Sequence, residues 1–141
     1  MKNTRFIVLL LAQSLAALGV VALIVLWKGP WDWRRWTGLA LATPSVVLLL
    51  TARYQLGRSF SVTPQAQALV TRGLYSRIRN PMYVFSGLLV LGVALALPIP
   101  HLIWVWVVIV PTQIVRAHQE AKVLEEKFGD AYRQYRAGTW F

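Results

Sequence analysis

Long apolar stretches separated by short polar, basic ones dominate the chain. Phe6 to Leu26 runs 21 residues without a charge, enough at 1.5 Å per residue to cross a hydrocarbon core of about 30 Å. Trp36 to Ala52 gives 17 more, and Asn80 to Val115 gives 36 free of formal charge with His101 neutral. The last block is interrupted at Pro98-Ile99-Pro100, where neither proline can continue a helical hydrogen-bond ladder. The pattern therefore predicts an all-α polytopic bundle of about four membrane-embedded helices, the last two forming a tight hairpin. Its first arm, Pro81 to Leu97, is short for a full crossing and must thin the bilayer or stop short of the far side. From Leu102 the helical pattern runs on through Pro111 and past Val115 to Phe128. This predicts one helix of about 40 Å that leaves the membrane and ends at a C-capping Gly129.

Charge placement predicts orientation. Lys2, Arg5, Arg53, Arg58, Arg72, Arg77, Arg79, Arg116, Lys122, Lys127, Arg133 and Arg136 share one side in a four-helix topology; the other has Lys28, Arg34 and Arg35. The positive-inside rule then puts both termini in the cytoplasm. Trp27, Trp31, Trp33 and Trp36 flank the outer turn as an interfacial belt would. The first apolar run is longer than a signal peptide's and lacks a small-x-small site before Trp27, so it is expected to be retained.

Composition strengthens the membrane reading. The 141 residues are 57% hydrophobic and 14% charged, with seven Trp, five Tyr and five Phe. A soluble domain this small could not hide that much apolar surface. The net charge of +10 would suggest nucleic acid if it lay on one polar face. It lies between apolar blocks instead, so the bilayer is the expected partner and nucleic acid is not. Zero Cys excludes thiolate chemistry, and two separated His, His101 and His118, do not suggest a metal. No repeat or second domain is visible: 1–141 reads as a single membrane domain, with 1–66 an N-terminal hairpin and linker. No obligate protein partner can be inferred.

Two features carry candidate chemistry. Asn80 before Pro81 reads as N-cap and N1 of a helix, whose unpaired N–H groups attract an anion, with Arg77 and Arg79 alongside. Tyr75 and Tyr83 offer ring faces and hydroxyls. The alternative is a basic loop touching lipid phosphates. Arg116 and Glu120 stand at i and i+4 where the last helix meets the interface, with Gln113 one turn earlier. A charge at that depth is costly and often functional; the alternative is a snorkelling Arg with an incidental partner. Glu125, Glu126, Lys127, Asp130 and Arg133 read as a solvated face.

In register, these features resemble the isoprenylcysteine carboxyl methyltransferase family and its relatives among membrane phospholipid N-methyltransferases. The resemblance rests on Leu69-Val70-Thr71-Arg72-Gly73-Leu74-Tyr75, Arg79-Asn80-Pro81-Met82-Tyr83, Arg116 with Glu120 and Leu124, and Phe128-Gly129-Asp130-Ala131-Tyr132-Arg133-Gln134-Tyr135. It covers about 67–135, and 1–66 matches only as apolar helices. It implies a membrane methyltransferase using S-adenosylmethionine in a cytosol-facing pocket, with a lipophilic or membrane-associated methyl acceptor. The implied cofactor contacts are Gln67, Ala68, Leu69, Val70, Tyr75, Asn80, Pro81, Met82, Tyr83 and Glu120; Arg116 matches the substrate-orienting catalytic Arg, and Glu120 is its expected catalytic neighbour. Asn80 stands where the family usually has His, and Ala121 where it has a second Glu. Asn can hydrogen-bond but cannot titrate near neutrality. The rival readings are an NADPH-dependent membrane reductase and a non-enzymatic membrane protein with a degenerate pocket.

Overall fold

The computed structural model describes residues 2–57 and 69–141, without the side chains of Lys2, Asn3 and Arg5. Among the described residues the chain is all-helical: α1 (Lys2–Leu26), α2 (Trp33–Leu56), a 3-10 turn (Gly73–Ser76), α3 (Pro81–Ala96), α4 (Leu102–Phe128) and α5 (Asp130–Ala137). Phe6–Leu26 within α1, and α2, are long and apolar enough to cross a membrane, and α3 is a shorter apolar helix. Leu15, Leu18 and Leu26 on α1 and Trp104 and Val108 on α4 are exposed. Such apolar surface suits a hydrocarbon surrounding.

The turn between α1 and α2 is organised by one side chain. Asp32 caps α2 by accepting from the Arg35 N–H at 3.0 Å, which starts the helix at Trp33 rather than at the expected Trp36. Arg35, 3% exposed, turns its guanidinium back onto the end of α1. Nε and Nη2 donate to Ile24 O at 3.0 and 2.7 Å, Nη2 also to Val25 O and Trp27 O, and Nη1 to Gly29 O at 3.1 Å. Orphan carbonyls at a helix C-terminus need such donors, and the helix dipole favours a cation there. The Trp31 ring covers the guanidinium at 4.1 Å.

The other end of α2 differs from the sequence reading in a second way. Arg53, expected among the inner-loop charges, lies in the last turn of α2 and is buried. With no Gly or Pro between Pro44 and Gly57, the helical ladder carries on through it. Its Nε donates to Gln13 Oε1 of α1 at 2.9 Å and its Nη1 to Gly57 O at 3.0 Å, partners that a buried charge requires.

Small residues bring α2 and α3 together. A Cβ at Gly38 would sit 2.4 Å from Gly92 O, and one at Gly92 would sit 2.7 Å from Gly38 O. Ala42 and Ala96, four residues further along each helix, are buried with Ile24 and Leu97 in the core cluster. Backbone-to-backbone approach of this kind supplies packing where lipid removes the hydrophobic drive between helices. The hydroxyls of Ser14, Thr37, Ser45, Thr51 and Thr112 each donate to the carbonyl four residues earlier, so they cost little in an apolar medium.

The proline-bounded turn after α3 and the uninterrupted α4 agree with the pattern, including Pro111 inside the helix and Gly129 as its C-cap. Across the hairpin, Trp106 Nε1 donates to Gly87 O at 3.0 Å and Gln113 Nε2 to Ser86 Oγ at 2.7 Å. These rungs set the register that decides which residues meet one turn further in.

Candidate functional site

The site is built at the end of the bundle where α2 finishes, α3 begins and α4 turns polar. Gly73 opens the 3-10 turn with φ +62°, a left-handed conformation suited to glycine. A Cβ there would also strike the Gln55 amide at 2.4 Å. Gln55 Oε1 accepts from Leu74 N at 2.7 Å, tying the turn to α2. Tyr75 follows, buried; its carbonyl accepts the Tyr135 hydroxyl of α5 at 2.6 Å. Burial first, then the nearby Tyr135 and Glu120, pushes the Tyr75 phenol well above its ordinary pKa, so it stays protonated.

Residues 77–80 lead out of the 3-10 turn to α3 and pair with the tail. Trp140 N donates to Arg77 O at 2.6 Å, Arg79 N to Trp140 O at 2.9 Å and Asn80 N to Phe141 O at 3.0 Å. Asn80 is the N-cap of α3 with Pro81 in its first turn, as expected, but its side chain makes no capping bond. The cap is made by its backbone: Asn80 O accepts from Tyr83 N and Val84 N at 3.1 and 3.2 Å. The Asn80 amide is therefore not used up by its own helix. Arg79 Nε is buried with no hydrogen-bond partner among the described residues.

One turn into α3, the Tyr83 hydroxyl donates to Glu120 Oε1 of α4 at 2.5 Å. Burial raises the Glu120 pKa above the ordinary carboxyl value, while the Tyr83 bond and the charge of Arg116 pull it back. Arg116 thus acts on Glu120 from one turn away on the same helix, and the face that also carries Gln113 and Ala117 is the one turned inward. The start of α3 and the Arg116–Glu120 turn within α4, the two features singled out in the sequence, meet.

Of the other predicted contacts, Leu69, Val70 and Met82 are half-buried and Pro81 is fully buried. Gln67 and Ala68 lie outside the described residues. His101 and His118 are exposed, with the His118 ring against Ile114 O. Arg133 bridges Glu125 and Asp130 at 2.8 and 3.2 Å on an exposed face, as the charge pattern predicted. Sequence reasoning missed Gln55 and Trp140, and it named Tyr135 as part of a motif without its contact to Tyr75; these contacts span 19 to 60 residues or more. The left-handed Gly73 conformation would have signalled only that a turn lay there.

The model of the phospholipid methyltransferase family matches residues 33–131, most of the chain, and takes in every element just described from α2 to the start of α5. The chain belongs to the phospholipid methyltransferase family. No curated protein and no solved structure matches it significantly. Family membership supports methyl transfer to a membrane-associated acceptor. The match reaches back to Trp33, well before the 67–135 stretch that carries the motifs. The structure gives a reason: α2 packs backbone-to-backbone on α3 and holds the Gly73 turn through Gln55, so it is part of the same unit.

Proposed function

We propose that the chain is an S-adenosylmethionine-dependent membrane methyltransferase whose pocket lies between the start of α3 and the polar half of α4. The observation that carries this reading is the Tyr83–Glu120 hydrogen bond beside Arg116, which joins the two motif-bearing stretches, the start of α3 and the polar half of α4. Cofactor contacts are assigned to Gln67, Ala68, Leu69, Val70, Tyr75, Asn80, Pro81, Met82, Tyr83 and Glu120. The donor set suits the ligand. Arg79 Nε and the uncommitted Asn80 amide can meet a carboxylate, Glu120 can accept from a hydroxyl or ammonium, and the tyrosine rings can face a purine. When bound, S-adenosylmethionine supplies a methyl on a sulfonium, which departs as a neutral thioether as the acceptor's lone pair takes the methyl.

The chain's own residues contribute position and proton control. Well-aligned binding supplies about 7–11 kcal/mol of a barrier in favourable cases. Arg116 orients the acceptor through directional guanidinium hydrogen bonds. A carboxylate acceptor needs no base. An amine acceptor loses a proton, and Glu120, with its carboxyl pKa raised by burial, is placed to receive it. We place the pocket on the cytoplasmic side of four membrane-embedded helices, with both termini cytoplasmic, because twelve of the fifteen basic residues then lie inside. A lipophilic acceptor reaches it from the bilayer.

The test is thermal unfolding of the purified protein with S-adenosylhomocysteine and, separately, NADPH. A ligand at 100 times its Kd adds about 2.7 kcal/mol, so S-adenosylhomocysteine is expected to raise the midpoint and NADPH to leave it unchanged. Stabilisation by NADPH alone would turn the reading toward a reductase. No response to either would leave a non-enzymatic membrane protein. Labelled-methyl transfer in membrane extracts then identifies the acceptor.

A further inference from the structure

We infer that α5 and residues 139–141 form a clasp that positions the cofactor-binding segment, with Tyr135 as its positioning residue. The inference rests on the cofactor reading above and goes beyond it, giving a role to Tyr135, the last residue of the Phe128–Tyr135 motif, and to the tail that follows it.

Tyr75 to Pro81 carries three of the proposed cofactor contacts, yet between the end of the 3-10 turn and the first residue of α3 it forms no regular element. Arg77 N and Ile78 N still bond back to Leu74 O, but the N–H groups of Arg79 and Asn80 have no such local acceptor and need a neighbour. The tail is that neighbour. Trp140 and Phe141 supply the three backbone bonds to residues 77–80, in a parallel bridge that pairs Ile78 with Trp140. From α5, Tyr135 adds a side-chain bond into this stretch, its hydroxyl on Tyr75 O.

The clasp is itself anchored. Gly129, at φ +52°, turns the chain from α4 into α5, and Tyr132 is buried with its ring 6.2 Å from that of Tyr135. Burial pushes the Tyr135 phenol up to about 12, so it remains a donor throughout the working pH range. Among the described residues, the bonds of the clasp reach the backbone of Tyr75, Arg77, Arg79 and Asn80 rather than side chains. Its effect is therefore on where Tyr75 and Asn80 stand, and it is read as affinity rather than as chemistry.

The decisive comparison uses the full chain and Tyr135→Phe, which removes one hydroxyl and keeps the ring. Losing one such hydrogen bond is expected to weaken S-adenosylhomocysteine binding, measured by calorimetry, by about three- to tenfold. The donor KM should rise in proportion while kcat at saturation stays within about twofold. Amide exchange at Arg79 and Asn80 should quicken. Trp140→Pro, which removes the N–H donated to Arg77 O at the exposed end of the tail, should act in the same direction and serves if Tyr135→Phe folds poorly. Arg133→Ala, on the solvent face of α5, should change none of these. If the wild type binds S-adenosylhomocysteine and both variants bind it equally well, the clasp has no positioning role, whatever exchange does. If the wild type binds none, the cofactor reading itself has failed, and faster exchange in the variants would leave the clasp purely architectural.

Discussion

Two arginines at opposite ends of the bundle are treated differently. Arg35 is buried in the α1–α2 turn and directs its donors to the carbonyls of Ile24, Val25, Trp27 and Gly29. Arg116 stands half-buried on α4, where its charge bears on Tyr83 and Glu120. At the first end polar groups satisfy backbone and close a turn. At the second, side chain meets side chain, Glu120 carries a raised pKa, and Arg79 Nε is left without a partner among the described residues. A protein keeps such costly groups where something else completes them. The contrast separates an architectural arginine from one whose surroundings suit a ligand.

The largest effect that can break this comparison is on turnover. Arg116→Ala should lower methyl transfer by more than about a hundredfold, with S-adenosylhomocysteine affinity within a few-fold of wild type, as read by labelled-methyl assay and calorimetry. Arg35→Ala should do the reverse. Carbonyls stripped of their donor cost about 1–3 kcal/mol each, so folded yield and unfolding midpoint should fall sharply while the folded fraction keeps its specific activity. If Arg35→Ala were stable and inactive, the two arginines would have been given the wrong roles. Arg35→Lys should recover only part of the loss, because an ammonium cannot span the same set of carbonyls.

A smaller effect sharpens the inner end through pH. The folded-state pKa of Glu120 lies above its ordinary 4.5, so the folded protein holds that proton more tightly than the unfolded one. This carboxyl's contribution to stability is thus greatest below about 4.5 and declines as pH rises through the raised value. Unfolding midpoints followed against pH should show this decline in the wild type and lose it in Glu120→Gln. The same variant should bind S-adenosylhomocysteine about tenfold more weakly. The smallest effect is at Arg133. Its bridges to Glu125 and Asp130 are exposed, and Arg133→Ala should leave the midpoint unchanged within measurement.

Much of the architecture was legible because it depends on local rules. The span of α4, its passage through Pro111, its Gly129 cap and the Asn80-Pro81 helix start all follow from periodicity and from the conformational limits of Pro and Gly. Arg53 was misplaced because a charge after an apolar run reads as loop, and its bond to Gln13, forty residues away, is a partner for the buried charge that no local pattern shows. The spacing Gly38-x-x-x-Ala42 and Gly92-x-x-x-Ala96 was present to be read as close helix contact. Which stretch met which was not.

The order of amino acids by itself determined the apolar spans, the placing of basic residues between them, the helix boundaries near Pro and Gly, and the motifs that resemble the family. Each depends on neighbours within a turn or two, or on transfer from water to hydrocarbon. Only the tertiary structure decided that Tyr83 meets Glu120, that Gln55 and Tyr135 hold the turn around Tyr75, and that Trp140 lies along Arg77–Asn80. The physical reason is that hydrogen bonds are short and directional. A shift of one residue in the register between α3 and α4 would turn Tyr83 away from Glu120, and that register is set by packing and by rungs such as Ser86–Gln113, which no local pattern encodes.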